Sequence, residues 1–388
     1  MKILCFTSRV PWPLEKGDKL RIYHQLKELS AKHEIILCAV NDDQLHDDAF
    51  SELKKFCKEV HVVQHSKLNL FFNLIRGYFS GIPLQVAYFT SPKAKKKFDE
   101  VIRSEKPDRI YCQLIRTAEY VKGHENIPAV IDYMDIFSKG VERRIDKVAS
   151  WKRPLFRMEW KRLLKYESEV FSRFKGHTII SEQDRELLPV AEKQKVHVVP
   201  NGVDTDFFSP QPHEKDFELL FNGNMNYPPN IESALYITHK ILPLVKRVKP
   251  KTKLLISGAN PSAEILALRS ENVEVTGWVE DVRESFARSR ILVAPMQSSI
   301  GLQNKILEAM AMKIPCITTT LSNNAVKAIP DKQILVADTP EQFATFIHLL
   351  LDHPEKAERL AENGYQLVHE KFNWKKTCDA LEKIIVSA

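Results

Sequence analysis

The sequence predicts an α/β fold in which two doubly wound parallel sheets follow one another along the chain. Two observations carry this expectation. Short β-branched apolar runs alternate with longer amphipathic segments from one end to the other, the pattern of parallel strands covered by helices. At 388 residues the chain also exceeds what one hydrophobic core organises, so two domains of roughly 150 to 200 residues are expected.

The first series places strands at residues 2–7, 34–40, 60–63, 109–112, 129–131, 177–180 and 196–199. Helices are expected between them, including one at 19–31 and a single long one over 141–175. The alternation stops at Val199-Pro200-Asn201-Gly202-Val203-Asp204 and Phe207-Phe208-Ser209-Pro210-Gln211-Pro212, where proline, glycine and short polar residues mark a connector. A second series follows, with strands at 218–221, 253–257, 273–276, 290–294, 316–318 and 333–336, and two or three helices close the chain after Pro340. The expected division is a first domain over 1–200, a hinge over 201–215, a second domain over 216–370, and a last helix over 371–388 placed to pack back on the first domain. Tandem sheets of this kind are expected to turn their carboxyl ends toward a common central cleft, where ligands of this architecture bind.

With 44% hydrophobic and 28% charged residues the chain reads as globular and soluble. The net charge of +7 suits an anionic ligand, a nucleic acid or an acidic membrane surface. Dispersed basic residues without a recognition motif weigh against nucleic acid. Six cysteines without C-x-x-C spacing read as buried, reduced and structural. The opening residues are already strand-like and lack a leader pattern, so a cytoplasmic location is expected. No apolar run reaches the roughly 18 to 20 residues that span a bilayer.

The sharpest local signal is Ser298-Ser299-Ile300-Gly301-Leu302-Gln303-Asn304-Lys305-Ile306-Leu307-Glu308-Ala309-Met310-Ala311, directly after a buried strand. A turn at Gly301 leads into a helix starting near Gln303, whose free amides and positive dipole end suit a diphosphate. Lys305 would add charge, and Glu308, one turn deeper, would accept from ribose hydroxyls. An ordinary amphipathic helix with solvated Lys and Glu fits the same stretch. In the first domain, Asp18 fits either a contact to an acceptor hydroxyl or a helix N-cap. Arg21 fits either an anion contact or a solvated helical arginine. Asp132 and Asp135 follow a strand and point at the cleft, in an acceptor-binding or turn role; without a ligand set such as H-E-x-x-H, no metal site is expected.

Val199-Pro200-Asn201-Gly202-Val203-Asp204, Val275-Thr276-Gly277-Trp278-Val279, and Lys305-Ile306-Leu307-Glu308-Ala309-Met310-Ala311 followed by Ile314-Pro315-Cys316-Ile317 resemble the retaining glycosyltransferases of family 4, in order and spacing across nearly the whole chain. More narrowly, residues 131–139, the helix around 159–169 and Gly301-Leu302-Gln303-Asn304-Lys305 resemble a bacterial sugar-transferase branch associated with exopolysaccharide export. The resemblance implies the GT-B architecture of two Rossmann-like domains, a nucleotide diphosphate sugar as co-substrate, no cofactor, and retention of configuration without a metal. It implies a glycan or polyprenyl-linked acceptor. It also implies that Gly17 belongs to the loop approaching donor phosphates and acceptor, and that Glu308 is the second of two family glutamates.

The first glutamate's position is Ile300, so the backbone of Ile300, Gly301 and Leu302, with Gln303, would carry sugar contacts instead. An Arg and a Lys usual after the glycine ending the second domain's first strand are absent. Gly223 is followed here by Asn224-Met225-Asn226, neutral donors or simple turn formers, and Gly258 after the next strand joins this set. Lys305 is the substitute cation. Absent a carboxylate placed as nucleophile, a front-face displacement assisted by the leaving diphosphate is the expected mechanism, with Asp18, Lys305 and Glu308 as its polar groups. Two basic, aromatic-rich stretches, 67–97 and 151–165, suit either peripheral contact with the cytoplasmic face of the inner membrane or core packing with solvated basic faces. A sugar-nucleotide epimerase and a non-catalytic partner subunit are the rival readings.

Overall fold

The computed structural model describes every residue except Glu15, Lys147, Ser299 and Ile300. It divides into two compact units, Met1–Pro200 with Thr377–Ala388, and Asn201–Lys376.

The first unit holds seven strands: β1 (Lys2–Thr7), β2 (Glu34–Asn41), β3 (Glu59–Gln64), β4 (Arg109–Gln113), β5 (Ala129–Asp132), β6 (Gly176–Ile179) and β7 (Val196–Val198). All pair in parallel, in the order β3-β2-β1-β4-β5-β6-β7. Because successive strand residues point to opposite faces, the sheet feeds two cores. Leu4, Phe6, Ile36, Cys38 and Ile131 enter one; Ile3, Cys5, Ile35, Leu37 and Val130 enter the other. The second core also takes Leu381 and Ile385 from the last helix, Trp374–Ser387.

The second unit holds β8 (Phe217–Asn222), β9 (Leu254–Ser257), β10 (Val273–Val275), β11 (Ser289–Ala294), β12 (Cys316–Thr318) and β13 (Leu335–Val336), all parallel, in the order β10-β9-β8-β11-β12-β13. In both sheets the order reverses direction beside the first strand, between β1 and β4 and between β8 and β11. In open α/β sheets such a reversal is where loops leaving neighbouring strands diverge and ligands bind, at the carboxyl edge.

The single helix expected over 141–175 is two, Phe137–Ile145 and Arg153–Phe171, with a short 3₁₀ turn at Ser150–Lys152. Pro154 explains the break. In the first turn its missing N–H removes no hydrogen bond, whereas inside a continuous helix it would remove one and clash with the preceding turn. All six cysteines are free and buried.

Candidate active site

In the second unit the site is built at the β8/β11 reversal. Gly223 ends β8 and Gly258 ends β9, and their backbones are pressed together. A Cβ on Gly258 would lie 1.9 Å from Gly223 O, and its φ of +139° is itself one that side chains avoid. The loops are stitched by Gly223 N–H to Ser257 O (3.0 Å), Met225 N–H to Ala259 O (2.8 Å) and Gly258 N–H to Gly277 O (3.2 Å). A Cβ on Gly223 would fall 2.7 Å from Asn230 Nδ2 and 3.1 Å from Lys305 Nζ. The missing side chain therefore admits an amide and an ammonium to the end of β8.

Lys305 lies in the first turn of the helix Asn304–Ala311. It is buried, with Nζ donating to Asn230 Oδ1 (2.7 Å) and sitting 4.3 Å from the centre of the Phe221 ring. Asn230 is in turn fixed by Nδ2 donating to Asn224 O (2.9 Å). Burial lowers the Lys305 pKa to about 7, opposed by the charge of Glu308. Glu308, three residues on, is raised to about 7 by burial, opposed by Lys305. The lysine is thus no solvated surface charge; it is a buried amine held against Asn230 and the Phe221 ring.

The helix begins at Asn304, one residue later than expected, with Gln303 as its cap position. Gln303 does not cap by its side chain; Nε2 donates back to Gly301 O (2.8 Å) and closes the turn. The amides of Asn304 and Lys305 precede the Ile306 N–H to Gln303 O bond (3.0 Å), so they lack intrahelical acceptors. Asn201 Nδ2 donates to Asn304 Oδ1 (3.0 Å), so the Pro-Asn-Gly connector motif steadies this helix end. Leu302 is buried, and a Cβ on Gly301 would meet nothing within 4 Å. Ile300 lies outside the described residues. Asn224 is a turn former, its Oδ1 accepting from Asn226 N–H (3.0 Å), and Asn226 is exposed.

Three expectations in the first unit need correction. Asp18 is not an N-cap: Lys16 holds that position in the helix Gly17–Ser30, and the Asp18 carboxylate accepts from Arg9 Nη1 (2.7 Å). Arg21 is neither an open anion contact nor solvated. It is wholly buried, donating from Nε and Nη2 to Asp132 (2.6 and 3.2 Å) and from Nη2 to Val199 O (2.8 Å). Asp132, equally buried, also accepts from the hydroxyls of Tyr111 (3.2 Å) and Thr178 (3.0 Å), so it is a structural carboxylate. Asp135 is separate, exposed in a turn with Oδ1 accepting from Ile136 N–H (2.8 Å). Among the described residues no three His, Cys, Asp or Glu gather to hold a metal. Gly17 has a Cβ direction that meets only Met134 Cε, at 3.9 Å.

Two arginines at the β1/β4 reversal stand outside the residues singled out from the sequence. Arg9 follows β1, pairs with Asp18 and lies 3.7 Å from Asp42. Arg116 follows β4 and is stacked between Phe89 (4.8 Å) and Phe137 (4.6 Å). Burial first, then the charge of Arg9, lowers its pKa to about 10. The only sequence signal was placement just after a strand, shared by many solvated arginines. The Phe89 and Phe137 faces are taken up by Arg116, so arginines and carboxylates are the donors and acceptors gathered here.

Residues 216–353 match the family model for glycosyl transferases group 1. The match falls within the second unit. Across the whole chain the fold is the GT-B glycosyltransferase fold: a sucrose-phosphate synthase from Thermosynechococcus elongatus superposes over 100% of this chain and 98% of its own with a TM-score of 0.73 at 14% identity. HepE of Anabaena, solved in complex with UDP, gives 0.68 over 100% of both chains at 15% identity. Among curated sequences, an uncharacterized 44.6 kDa protein in the cps region of Klebsiella pneumoniae is 21% identical over 98% of this chain and 99% of its own. An MMP alpha-(1->4)-mannosyltransferase of Mycolicibacterium hassiacum is 24% identical over 60% and 59%. The matched segment contains Gly223, Asn230, Lys305 and Glu308, which lie at the β8/β11 edge.

Proposed function

We propose that the chain transfers a sugar from a nucleotide diphosphate donor to a glycan or lipid-linked glycan in cell-surface polysaccharide synthesis, retaining anomeric configuration and using no metal. The observation that carries the reading is the buried Lys305 ammonium at the end of β8, beside two amides without helical acceptors. A diphosphate there meets a cation and backbone donors together. Glu308 is the acceptor for ribose hydroxyls. As the glycosidic bond to the leaving phosphate breaks, negative charge grows on its oxygens, and pre-oriented donors favour that state over the ground state. Asp18, held by Arg9, orients the acceptor hydroxyl, and the aromatic-lined arginines of the first unit bind the acceptor's ring.

Support for the donor class comes from HepE, solved with UDP and with UDP-glucose. The cps-region relative, and the structural neighbour WaaG, involved in lipopolysaccharide biosynthesis, support the product class. The test is a panel of sugar nucleotides assayed for binding, hydrolysis and transfer, with the product's anomeric proton read by NMR and turnover repeated in EDTA. Transfer with the donor's configuration kept in EDTA is expected. Donor conversion without acceptor would favour an epimerase, and failure to bind any nucleotide would favour a non-catalytic subunit.

A further inference from the structure

We propose that the first unit docks on an anionic lipid bilayer through one face made by the helix Lys67–Ser80 and the amino-terminal half of Arg153–Phe171. The helix Lys67–Ser80 is amphipathic in the wrong sense for a folded protein. Its inward stripe is Leu70, Asn73 and Gly77, packed so closely that a Cβ on Gly77 would lie 2.3 Å from Ala87 Cβ. Its outward surface carries Leu68, Phe71, Phe72, Ile75, Tyr78 and Phe79, with Leu68 70%, Phe72 63% and Phe79 82% exposed. Isolated exposed apolar residues are ordinary, but six on one 14-residue helix mark a surface that another phase or molecule covers.

The second helix continues this face. Arg162 donates to Gly77 O (3.2 Å) and Tyr78 O (2.8 Å), the end of the first helix. Leu155 lies seven residues before Arg162, two turns along the same helical stripe, and Trp151 sits in the 3₁₀ turn that leads into this helix. Trp151 is 76% exposed and Leu155 46%.

Charge selects lipid over a protein partner. From Val60 to Phe98 there is no Asp or Glu, and the helix Lys67–Ser80 carries Lys67 and Arg76 as its only charges. From Val148 to Met158 there is again no acid, while Lys152, Arg153 and Arg157 are present. Aromatic and aliphatic side chains between cations match an interface of acyl chains beneath anionic headgroups. No described helix is long and apolar enough to cross a membrane, so the contact is one of lying on the surface. The inference deepens the lipid-linked acceptor of the proposed function and rests on that reading for its purpose, though not for its chemistry.

The test is co-sedimentation of the full chain with vesicles of phosphatidylcholine alone or mixed equally with phosphatidylglycerol, with UDP binding measured separately. Expected is pelleting with the anionic vesicles that weakens with salt, and about tenfold weaker binding for Phe72→Ser with Phe79→Ser. Lys67→Glu with Arg76→Glu should weaken it as well. These variants should keep wild-type UDP affinity, since both residue pairs are exposed and remote in sequence from the matched segment. No lipid-dependent pelleting, or pelleting indifferent to the variants, overturns the proposal. So does self-association in sedimentation velocity that the phenylalanine variant abolishes, which assigns the face to a second copy. Vesicle binding without UDP binding would leave this inference standing and remove the transferase reading.

Discussion

At the level of single residues, chemistry and stability are divided between two charged pairs. Lys305 and Glu308 are both held near pKa 7 by burial, where an unburied lysine and glutamate would titrate several pH units apart. The fold lowers the lysine's proton affinity, so between pH 7 and its ordinary 10.5 the unfolded chain binds more protons, and this residue's contribution to stability rises with pH. The glutamate's proton affinity is raised, so between its ordinary 4.5 and 7 its contribution falls as pH rises. For the ligand the sign follows the lysine's charge. UDP affinity measured by calorimetry should fall as pH rises through about 7 and beyond, with proton uptake on binding. Lys305→Met should weaken UDP by about 1.5 to 3 kcal/mol near neutral pH and flatten that dependence; an unchanged pH profile would remove Lys305 from the site.

Arg21 and Asp132 form the contrasting pair, 111 residues apart and wholly buried. Arg21→Ala should cost about 3 to 5 kcal/mol in chemical denaturation, because it strands a buried carboxylate. UDP affinity of the surviving folded protein should stay at the wild-type value. Nothing local in the sequence distinguishes Arg21 from a solvated helical arginine; its partner is set by strand order. The same holds for Gly258, whose need for glycine comes from Gly223 O on a neighbouring strand. By contrast the placement of Lys305 in the first turn of a helix was legible, because a strand, a glycine turn and a helix start are local features.

Among the elements, strands were the most legible and helix breaks the least. A buried parallel strand announces itself as a short apolar run, since both its faces meet helices. The runs at 2–7 and 316–318 are β1 and β12 to the residue, and the others differ at their ends by a residue or two. The segment 141–175 was misread because Pro154 is compatible with a helix's first turn, and its periodicity continues on either side. The second helix there also does more than cover the sheet. Both Glu159 carboxylate oxygens accept backbone N–H groups at the start of the helix Leu84–Phe89, from Leu84 (2.8 Å) and Gln85 (3.0 Å). That helix has Pro83 at its N-cap position and no side-chain cap of its own, so the glutamate satisfies orphan donors from a distance. Glu159→Ala should destabilise the chain by about 1 to 3 kcal/mol. Burial holds this carboxyl above its ordinary pKa, so Glu159→Gln, which keeps a neutral acceptor, should lose less. Equal losses in a denaturant series would show the acceptor bonds to be immaterial.

For the molecule as a whole, the two-unit division crosses chain order: Thr377–Ala388 belongs with residues 1–200. Leu381 and Ile385 are fully buried in the core beneath Ile3, Ile35 and Val130, and Arg109 Nε donates to Ile385 O (3.2 Å). Lys32 adds an ion pair to Glu382 (2.6 Å) and His33 Nε2 a hydrogen bond to it (3.0 Å). Those contacts are at or near the surface and contribute little, so the apolar contacts decide. Truncating a buried Leu or Ile to Ala costs about 2 to 5 kcal/mol, against about 5 to 15 for a whole domain. The double variant Leu381→Ala with Ile385→Ala should therefore unfold the first unit well before the second, since neither residue enters the core of the second unit. Calorimetry should show a new early transition that UDP does not move, followed by a later one that UDP raises. A single transition at the wild-type temperature would mean that the last helix is a passive appendage of the first unit.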